Sequence, residues 1–285
     1  MGRVPDFKHI AEEAHARLGR DGALELLDAG RHWRLAPILE GGGAVIFPHV
    51  SIGACGHLTA AAVHACLDSG AEKILALGVL HALTDELETA RRRVAEGRDP
   101  AAEKAWGIQG PGVDGRDDWK DEFSLSHFLF LFEVETARRG VRSPELVLRY
   151  PYLAGGQPHL LPGIRELEEV ARGAAVVATA DPFHHGIGYG DPPDKALSPD
   201  GLGLATARRR INEGLELLRA GDHWGYNRHC VHSKSDARDV GQVLRHLLGP
   251  FNHRIIEIVA DDMSGAYGAP APTWVAGALI ELMPE

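Results

Sequence analysis

The chain has 285 residues, of which 44% are hydrophobic and 25% are charged, and 40 acidic against 30 basic residues give a formal net charge of −10. This composition is that of an ordinary globular protein, and a chain of this length can bury its core as one domain spanning residues 1–285. A negative surface repels phosphate backbones, so we expect no nucleic-acid partner. No apolar run approaches the ~20 residues of a membrane-spanning helix, so we expect no membrane partner.

The N-terminus and the cysteines bear on the compartment. The stretch MGRVPDFKHI lacks the apolar segment and the small-residue cleavage pattern of a secretory signal. The three cysteines, Cys55, Cys66 and Cys230, make no disulfide framework and agree with a reducing compartment. We therefore expect a cytoplasmic protein.

Apolar periodicity predicts the first elements in chain order. Residues 6–30 form an amphipathic pattern typical of a helix, which a proline and several glycines then interrupt. From residue 44 the pattern alternates a short buried strand (44–47), a helix (57–70) and a second buried strand (73–81). Residues 82–121 are polar and weakly patterned, which is typical of an insertion that forms a lid or a dimer contact.

The alternation resumes after this insertion. The elements predicted there are a helix at 123–140, a strand at 144–153, a helix at 163–173, a strand at 174–181, a helix at 200–219, a polar histidine-rich segment at 221–239, a helix at 240–249 and strands at 253–262 and 273–282. Short apolar strands that alternate with helices predict a single-domain α/β fold with a mixed, largely parallel central sheet flanked by helices.

Polar residues that directly follow the buried strands are the candidates for chemistry. His49 follows the strand AVIF, His81 ends the run ILALGVLH, and Asp181 ends AVVATAD, with His184 close behind. Ligands of open α/β sheets sit outside the carboxyl ends of the strands. If these strands are parallel neighbours, the three groups converge at one edge of the sheet.

Such a convergence is suited to a metal. Two histidines with a carboxylate or a thiolate can hold Fe(II) and leave coordination positions open for dioxygen and substrate. No G-x-G-x-x-G fingerprint follows a strand and no P-loop is present, so nothing in the sequence indicates a nucleotide cofactor.

Five segments, in this order, resemble the Memo proteins, which are similar in fold to the class III (protocatechuate-type) extradiol dioxygenases. They are PHVSIGACG, ILALGVLH, DEFSLSHFLFLF, VVATADPFHHG and TWVAGALIEL. The family's usual acidic and histidine pair is missing at Ser126 and Phe128, although Glu122 and His127 are close by. The resemblance implies a Memo-like fold around a metal-like site.

The resemblance also assigns residues. It implies that His49 and His81 are the first two metal ligands and that Asp181 and His184 are the pocket's Asp-x-x-His pair, with His184 handling protons. Memo proteins place a cysteine before a late helix, which points to Cys230 as the third ligand. The rivals for that position are Asp236, His229 and His232.

The resulting expectation is a mononuclear non-heme Fe(II) oxygenase, with copper or zinc as alternative metals. Its partners would be dioxygen and a small-molecule substrate, for which an aromatic, catechol-like compound is the guess by analogy. A non-catalytic metal or redox protein and a zinc-dependent hydrolase are the alternatives. The insertion at 82–121 and the apolar FLFLF helix could supply a homo-oligomer interface.

Overall fold

The computed structural model describes residues 6–285, in which helices alternate with strands for most of the chain. The helices are α1 Phe7–Gly30, α2 Ala36–Glu40, α3 Ile52–Asp68, α4 Asp85–Ala95, α5 Ser126–Arg139, α6 Ile164–Ala171, α7 Gly201–Arg219, α8 His223–Ser233, α9 Arg238–Leu248 and α10 Ser264–Tyr267. The strands are β1 Ala44–Phe47, β2 Lys73–Leu77, β3 Gly107–Gln109, β4 Glu145–Tyr152, β5 Ala175–Thr179, β6 Phe183–Gly186, β7 Phe251–Asp262 and β8 Thr273–Pro284.

The strands form one mixed sheet with a parallel centre. Their order is β3-β4-β2-β5-β1-β8-β6, and β7 also pairs with β8. The central strands β4, β2, β5 and β1 run parallel, whereas β3, β8, β6 and β7 pair antiparallel with their neighbours. The predicted mixed, largely parallel α/β sheet is thus confirmed, and the carboxyl ends of β2, β5 and β1 lie side by side.

The sheet divides the core into two apolar clusters because successive strand residues point to opposite faces. In β1, Val45 and Phe47 pack with residues of α1, α3 and α5, whereas Ala44 and Ile46 pack with residues of α7, α8 and α9. Both faces are therefore covered by helices, which explains why β1, β2 and β5 are almost continuously apolar. No helix within residues 6–285 is long and apolar enough to cross a bilayer.

Two predicted segments differ from the structure. Residues 82–121 were expected to be a weakly patterned insertion, but they contain α4 and the strand β3, which extends the sheet at the edge of β4. Residues 221–239 were expected to be an irregular polar segment, but most of them form α8. The buried face of α8 includes Asn227 and Ser233, so hydrophobicity alone does not reveal the helix.

A glycine of β8 allows the loop after β1 to pass close to the sheet. A Cβ at Gly277 would lie 2.4 Å from Pro48 Cβ and 3.1 Å from Asp181 Oδ1. Pro48 precedes His49, so the close approach at Gly277 positions the imidazole at the end of the sheet.

We expect Gly277→Ala to lower the free energy of unfolding by ~1–3 kcal/mol, because the added methyl overpacks the Pro48 ring. Gly201→Ala is the matched control, since a Cβ there meets nothing within 4 Å. That control should leave stability unchanged or raise it slightly. Urea denaturation measures both, and equal stabilities of the two variants would contradict the role given to Gly277.

Candidate metal centre

Three side chains meet at the carboxyl ends of the parallel strands. His49 and His81 follow β1 and β2, and Asp236 lies between α8 and α9. Asp236 Oδ2 is 3.2 Å from His49 Nε2 and 3.7 Å from His81 Nε2. One ligand atom from each residue lies within 4.8 Å of the other two. The predicted convergence of His49 and His81 is therefore present, with Asp236 as the third member.

The hydrogen bonds of His49 determine which of its two ring nitrogens carries a proton and which has a free lone pair. His49 Nδ1 is 2.9 Å from Thr179 Oγ1, and that hydroxyl donates its own proton to the carbonyl of Phe47. Thr179 can therefore only accept from His49, which must carry a proton on Nδ1. In the neutral ring, the lone pair is on Nε2 and points toward Asp236.

His81 is held in the same tautomer by a carboxylate. Its Nδ1 lies 2.9 Å from Glu122 Oε1, and its backbone N–H donates to Glu122 Oε2 at 2.6 Å. Glu122 is buried and its pKa is lowered, since the charge of His81 and several hydrogen bonds outweigh the opposing effect of burial. An ionised Glu122 accepts from Nδ1–H, so the Nε2 lone pair of His81 is also available.

Asp236 places its two oxygens in different environments. Oδ1 accepts from the backbone N–H of Asp181 at 2.7 Å, whereas the buried Oδ2 has no hydrogen-bond partner among residues 6–285. A buried carboxylate oxygen without a donor is costly. With neutral rings, Oδ2 faces two imidazole lone pairs, an arrangement that a cation among the three atoms would stabilise.

The pKa values agree with a site that attracts positive charge. Burial lowers the pKa of His81, but Glu122 and Asp236 raise it further, to about 10. Burial also opposes protonation of His49, whose pKa is nevertheless raised by Asp181 and Asp236. Burial raises the pKa of Asp236, yet the two histidines hold it far below its usual range. The carboxylates thus favour a cation here, which can be a proton or a metal.

Asp181 belongs to this centre but does not contact His184 as the resemblance implied. Its Oδ1 accepts from the backbone N–H of His49 at 3.2 Å, and its Oδ2 lies 3.6 Å from His49 Nε2. Burial, with the charge of Asp236, raises its pKa to about 6. The expectation that Asp181 orients His184 is corrected: Asp181 supports the loop of His49 instead.

His184 lies on β6 and lines the same cavity as the three clustered side chains. Its Nδ1 is buried without a hydrogen-bond partner among the described residues, and its ring meets Tyr189 edge to face at 5.0 Å. Burial lowers the pKa of His184 to about 4. A neutral imidazole therefore lines the cavity, with its Nδ1 buried.

The structure does not bring Cys230 to the site, which corrects the prediction of a cysteine ligand. Cys230 is on the buried face of α8 and packs in the core with Tyr226 and Ile46, away from the clustered side chains. Burial raises the pKa of its thiol to about 12. Metals bind the thiolate, so a thiol held in its protonated form is poorly suited as a ligand.

The two histidine rivals for the third position also lie elsewhere. His229 Nε2 is 2.8 Å from the carbonyl oxygen of Arg210, and His232 Nδ1 is 2.8 Å from that of Arg228. Of the four candidates considered from the sequence, Asp236 alone joins His49 and His81.

A cavity of about 420 Å³ opens above the three side chains. Phe123 stacks on His81 at 4.6 Å between ring centres, and Phe7 stacks on Phe123 at 5.2 Å. The first turns of α1 contribute Phe7 and Ile10 to the lining. Most of this cover comes from α1, whereas the segment 82–121, which is predicted to form a lid or a dimer contact, contributes Arg91 to the lining.

Helix α1 is broken at Gly19, which has φ 61° and ψ −171°. The part after Gly19 buries Ala23 and Leu27 completely, whereas Ala11 is the buried residue of the part before it and is 5% exposed. The segment that covers the cavity is therefore less firmly packed than the rest of the helix.

Sequence reasoning did not assign roles to Glu122 and Phe123. Both residues lie in the sequence Asp-Glu-Phe at positions 121–123, between the polar segment and α5. Glu122 is noted above only as a neighbour of the missing family pair. His127 also lines the cavity, and burial lowers its pKa to about 3. The sequence signal that could have identified Glu122 is its position, since it is an acidic residue directly before an apolar helix.

In the metal-free protein, we expect Asp236→Asn to lower the pKa of His49 and of His81, because it removes the negative charge that favours both imidazolium forms. The decrease should be about 1 to 3 pH units, as is typical for an opposite charge at this distance. Histidine ring resonances in an NMR titration measure it. Asp262→Asn is the control, since Asp262 lines the cavity but bonds to the N–H of Ser264. Unchanged histidine pKa values in Asp236→Asn would contradict the electrostatics described above.

No protein-family model matches the sequence, and no curated protein matches it either.

Proposed function

We propose that this protein is a mononuclear non-heme Fe(II) oxygenase in which His49, His81 and Asp236 hold the metal. The observation that carries the proposal is Asp236 Oδ2, which has no hydrogen-bond partner among residues 6–285 and faces two imidazole rings whose tautomers are fixed by Thr179 and Glu122. Two neutral histidines and one carboxylate are the donor set of the facial triad.

The donor set favours iron among the candidate metals. His49, His81 and Asp236 would hold the metal, and the cavity beside them would admit dioxygen and substrate, as oxygen-activating Fe(II) sites require. When bound there, Fe(II) supplies the activation of dioxygen beside an electron-rich, chelating substrate. The outer hydrogen bonds of Thr179 and Glu122 orient the rings and increase the basicity of Nε2.

The size and the lining of the cavity favour a small aromatic, catechol-like substrate. Its volume of about 420 Å³ fits a compact molecule, and Phe7, Ile10, Phe123 and Tyr189 contribute apolar surface to its lining. An aromatic ring can pack against this lining while its hydroxyl groups point toward the histidines.

His184 is the residue proposed to handle a proton. Its imidazole is neutral because burial lowers its pKa, and its Nδ1 has no partner in the described chain. A substrate hydroxyl in the cavity can donate to the neutral imidazole of His184, which lines the cavity, and His184 can then hold the proton. Asp181 keeps the His49 loop in place and is not needed to orient His184.

We expect the purified protein to bind one Fe(II) or one Zn(II) per chain under anaerobic conditions, measured by calorimetry and elemental analysis. His49→Ala, His81→Ala and Asp236→Ala should each weaken binding by at least tenfold, since each removes one of three ligands. Cys230→Ala is the matched control and should bind the metal as the wild type does. Full metal affinity in Asp236→Ala, or its loss in Cys230→Ala, would contradict the ligand set.

We expect the iron-loaded protein to consume dioxygen in the presence of catechol, followed with an oxygen electrode. His184→Gln should lower turnover by ~10²–10⁴-fold, the usual contribution of general acid–base catalysis, with metal binding intact. His185→Gln is the control, because His185 pairs with Asp191 and the N–H of Leu197 and does not line the cavity. Equal turnover in the two variants would remove His184 from the mechanism.

The same experiment separates the alternatives. If the protein binds one metal ion per chain but consumes no dioxygen with any catechol, a non-catalytic metal or redox protein is favoured. Hydrolysis that proceeds without oxygen, persists with zinc and is lost with a chelator would favour a zinc hydrolase.

A further inference from the structure

Strand β7 forms one edge of the sheet, and its outer side pairs with nothing in the described chain. Residues 251–262 pair with β8 and with no other strand of residues 6–285. In an antiparallel pair, every second residue directs its backbone N–H and C=O away from the neighbouring strand. No backbone group elsewhere among residues 6–285 bonds to these outward groups. At 12 residues, β7 is also long for an edge strand, since strands of about 5–6 residues are typical.

The apolar side chains of β7 are only partly covered by the helices on either face. Five of them pack on the two core clusters and all five remain partly exposed, namely Ile255, Ile256, Ile258, Val259 and Ala260. The neighbouring strand β8, by contrast, is buried from Thr273 to Leu282. An unpaired edge with apolar side chains on both faces is a surface to which another strand can add.

A bulge in β7 determines which of its residues share a face. Arg254 lies opposite Glu281 of β8. Asp261 lies opposite Val275, and Ile256 between them has no counterpart in β8. Glu281 and Val275 are an even number of residues apart in a regular strand, so they point to the same face. Arg254 and Asp261 therefore share that face as well, whereas without the bulge their odd separation would place them on opposite faces.

Because of this shift, the edge of β7 is complementary to a second copy of itself. Two β7 edges that pair antiparallel about a two-fold axis can bring Arg254 opposite the partner's Asp261, on one face of the joined sheet. Glu257 and Ile258 do not match in this register, and they lie at the axis. The same register matches three further pairs, each with both members on one face: His253 with Asp262, Ile255 with Ala260, and Ile256 with Val259.

We propose that this protein forms a two-fold dimer in which the β7 strands pair antiparallel and join two sheets into one. The inference is independent of the proposed function, because it rests on the edge of β7 alone. Arg254 is accessible for this contact: its side chain is 66% exposed, and its Nε and Nη2 bond to Glu281 while no residue among 6–285 accepts from Nη1. The interface lies outside residues 82–121 and α5, the surfaces expected from the sequence.

Sedimentation equilibrium tests the dimer and its register. We expect the wild type to dimerise, and Arg254→Glu and Asp261→Arg each to raise the dissociation constant at least about tenfold, because each places like charges opposite one another. An equimolar mixture of the two variants should restore the dimer, since the new acid then faces the new base and the native pair forms at the second contact. Arg172→Glu is the matched control: it reverses an exposed arginine that pairs with Glu169 on α6, and it should dimerise as the wild type does.

Hydrogen exchange of the wild type, followed by NMR, gives a readout that needs no variant. The outward amides of residues 251–262 should become more protected as the protein concentration rises, whereas those of β3, at the opposite edge of the sheet, should not. If a variant fails to fold, this concentration dependence decides alone.

A wild type that stays monomeric at every concentration overturns the inference and leaves the β7 edge to a strand of another protein. A dimer that persists in both charge variants, or that protects β3 instead of β7, assigns the contact to another surface and equally overturns it.

Discussion

The buried carboxylate of Asp236 is the constraint on which the site depends. One of its oxygens is satisfied by the backbone of Asp181, and the other faces two imidazoles. A buried anion of this kind is stable only beside positive charge. The fold supplies rings whose outer nitrogens are already committed to Thr179 and Glu122, so that their inner nitrogens are free to share a cation with Asp236. The parallel strands provide the rigid ends from which these groups project.

The sequence is sufficient to predict one half of this centre. His49 and His81 each follow an apolar run, and the position of a polar residue directly after a buried strand is a local property of the chain. Strand alternation also predicts that β1, β5 and β2 run parallel, which brings both residues to one edge. Asp181 reaches the same edge for the same reason. These residues could be identified because the period of the strands fixes where they point.

The other half depends on packing that local pattern does not encode. Cys230 and Asp236 are six residues apart, and their roles are decided by α8, whose polar buried residues conceal a helix. The helix places the thiol in the core and leaves the loop after it to carry the carboxylate to the histidines. Glu122 and Arg91 come from a polar stretch without strand periodicity, and they reach the site only because α4 and the chain before α5 fold against the sheet ends. Asp181 forms no hydrogen bond with His184 because its two oxygens lie against the backbone N–H and the ring of His49.

The break of α1 at Gly19 has a consequence for how fast the cavity can exchange its contents. The segment before the break lines the cavity with Phe7 and Ile10, and it contacts Phe123 and Tyr267 through Phe7 and His127 through His15. The segment after the break is part of the core. Proteins open locally at a lower free energy than they unfold globally, so this first segment can open while the sheet and the side chains of His49, His81 and Asp236 keep their positions. Ligand entry is then a local opening event, whose rate is independent of the stability of the domain as a whole.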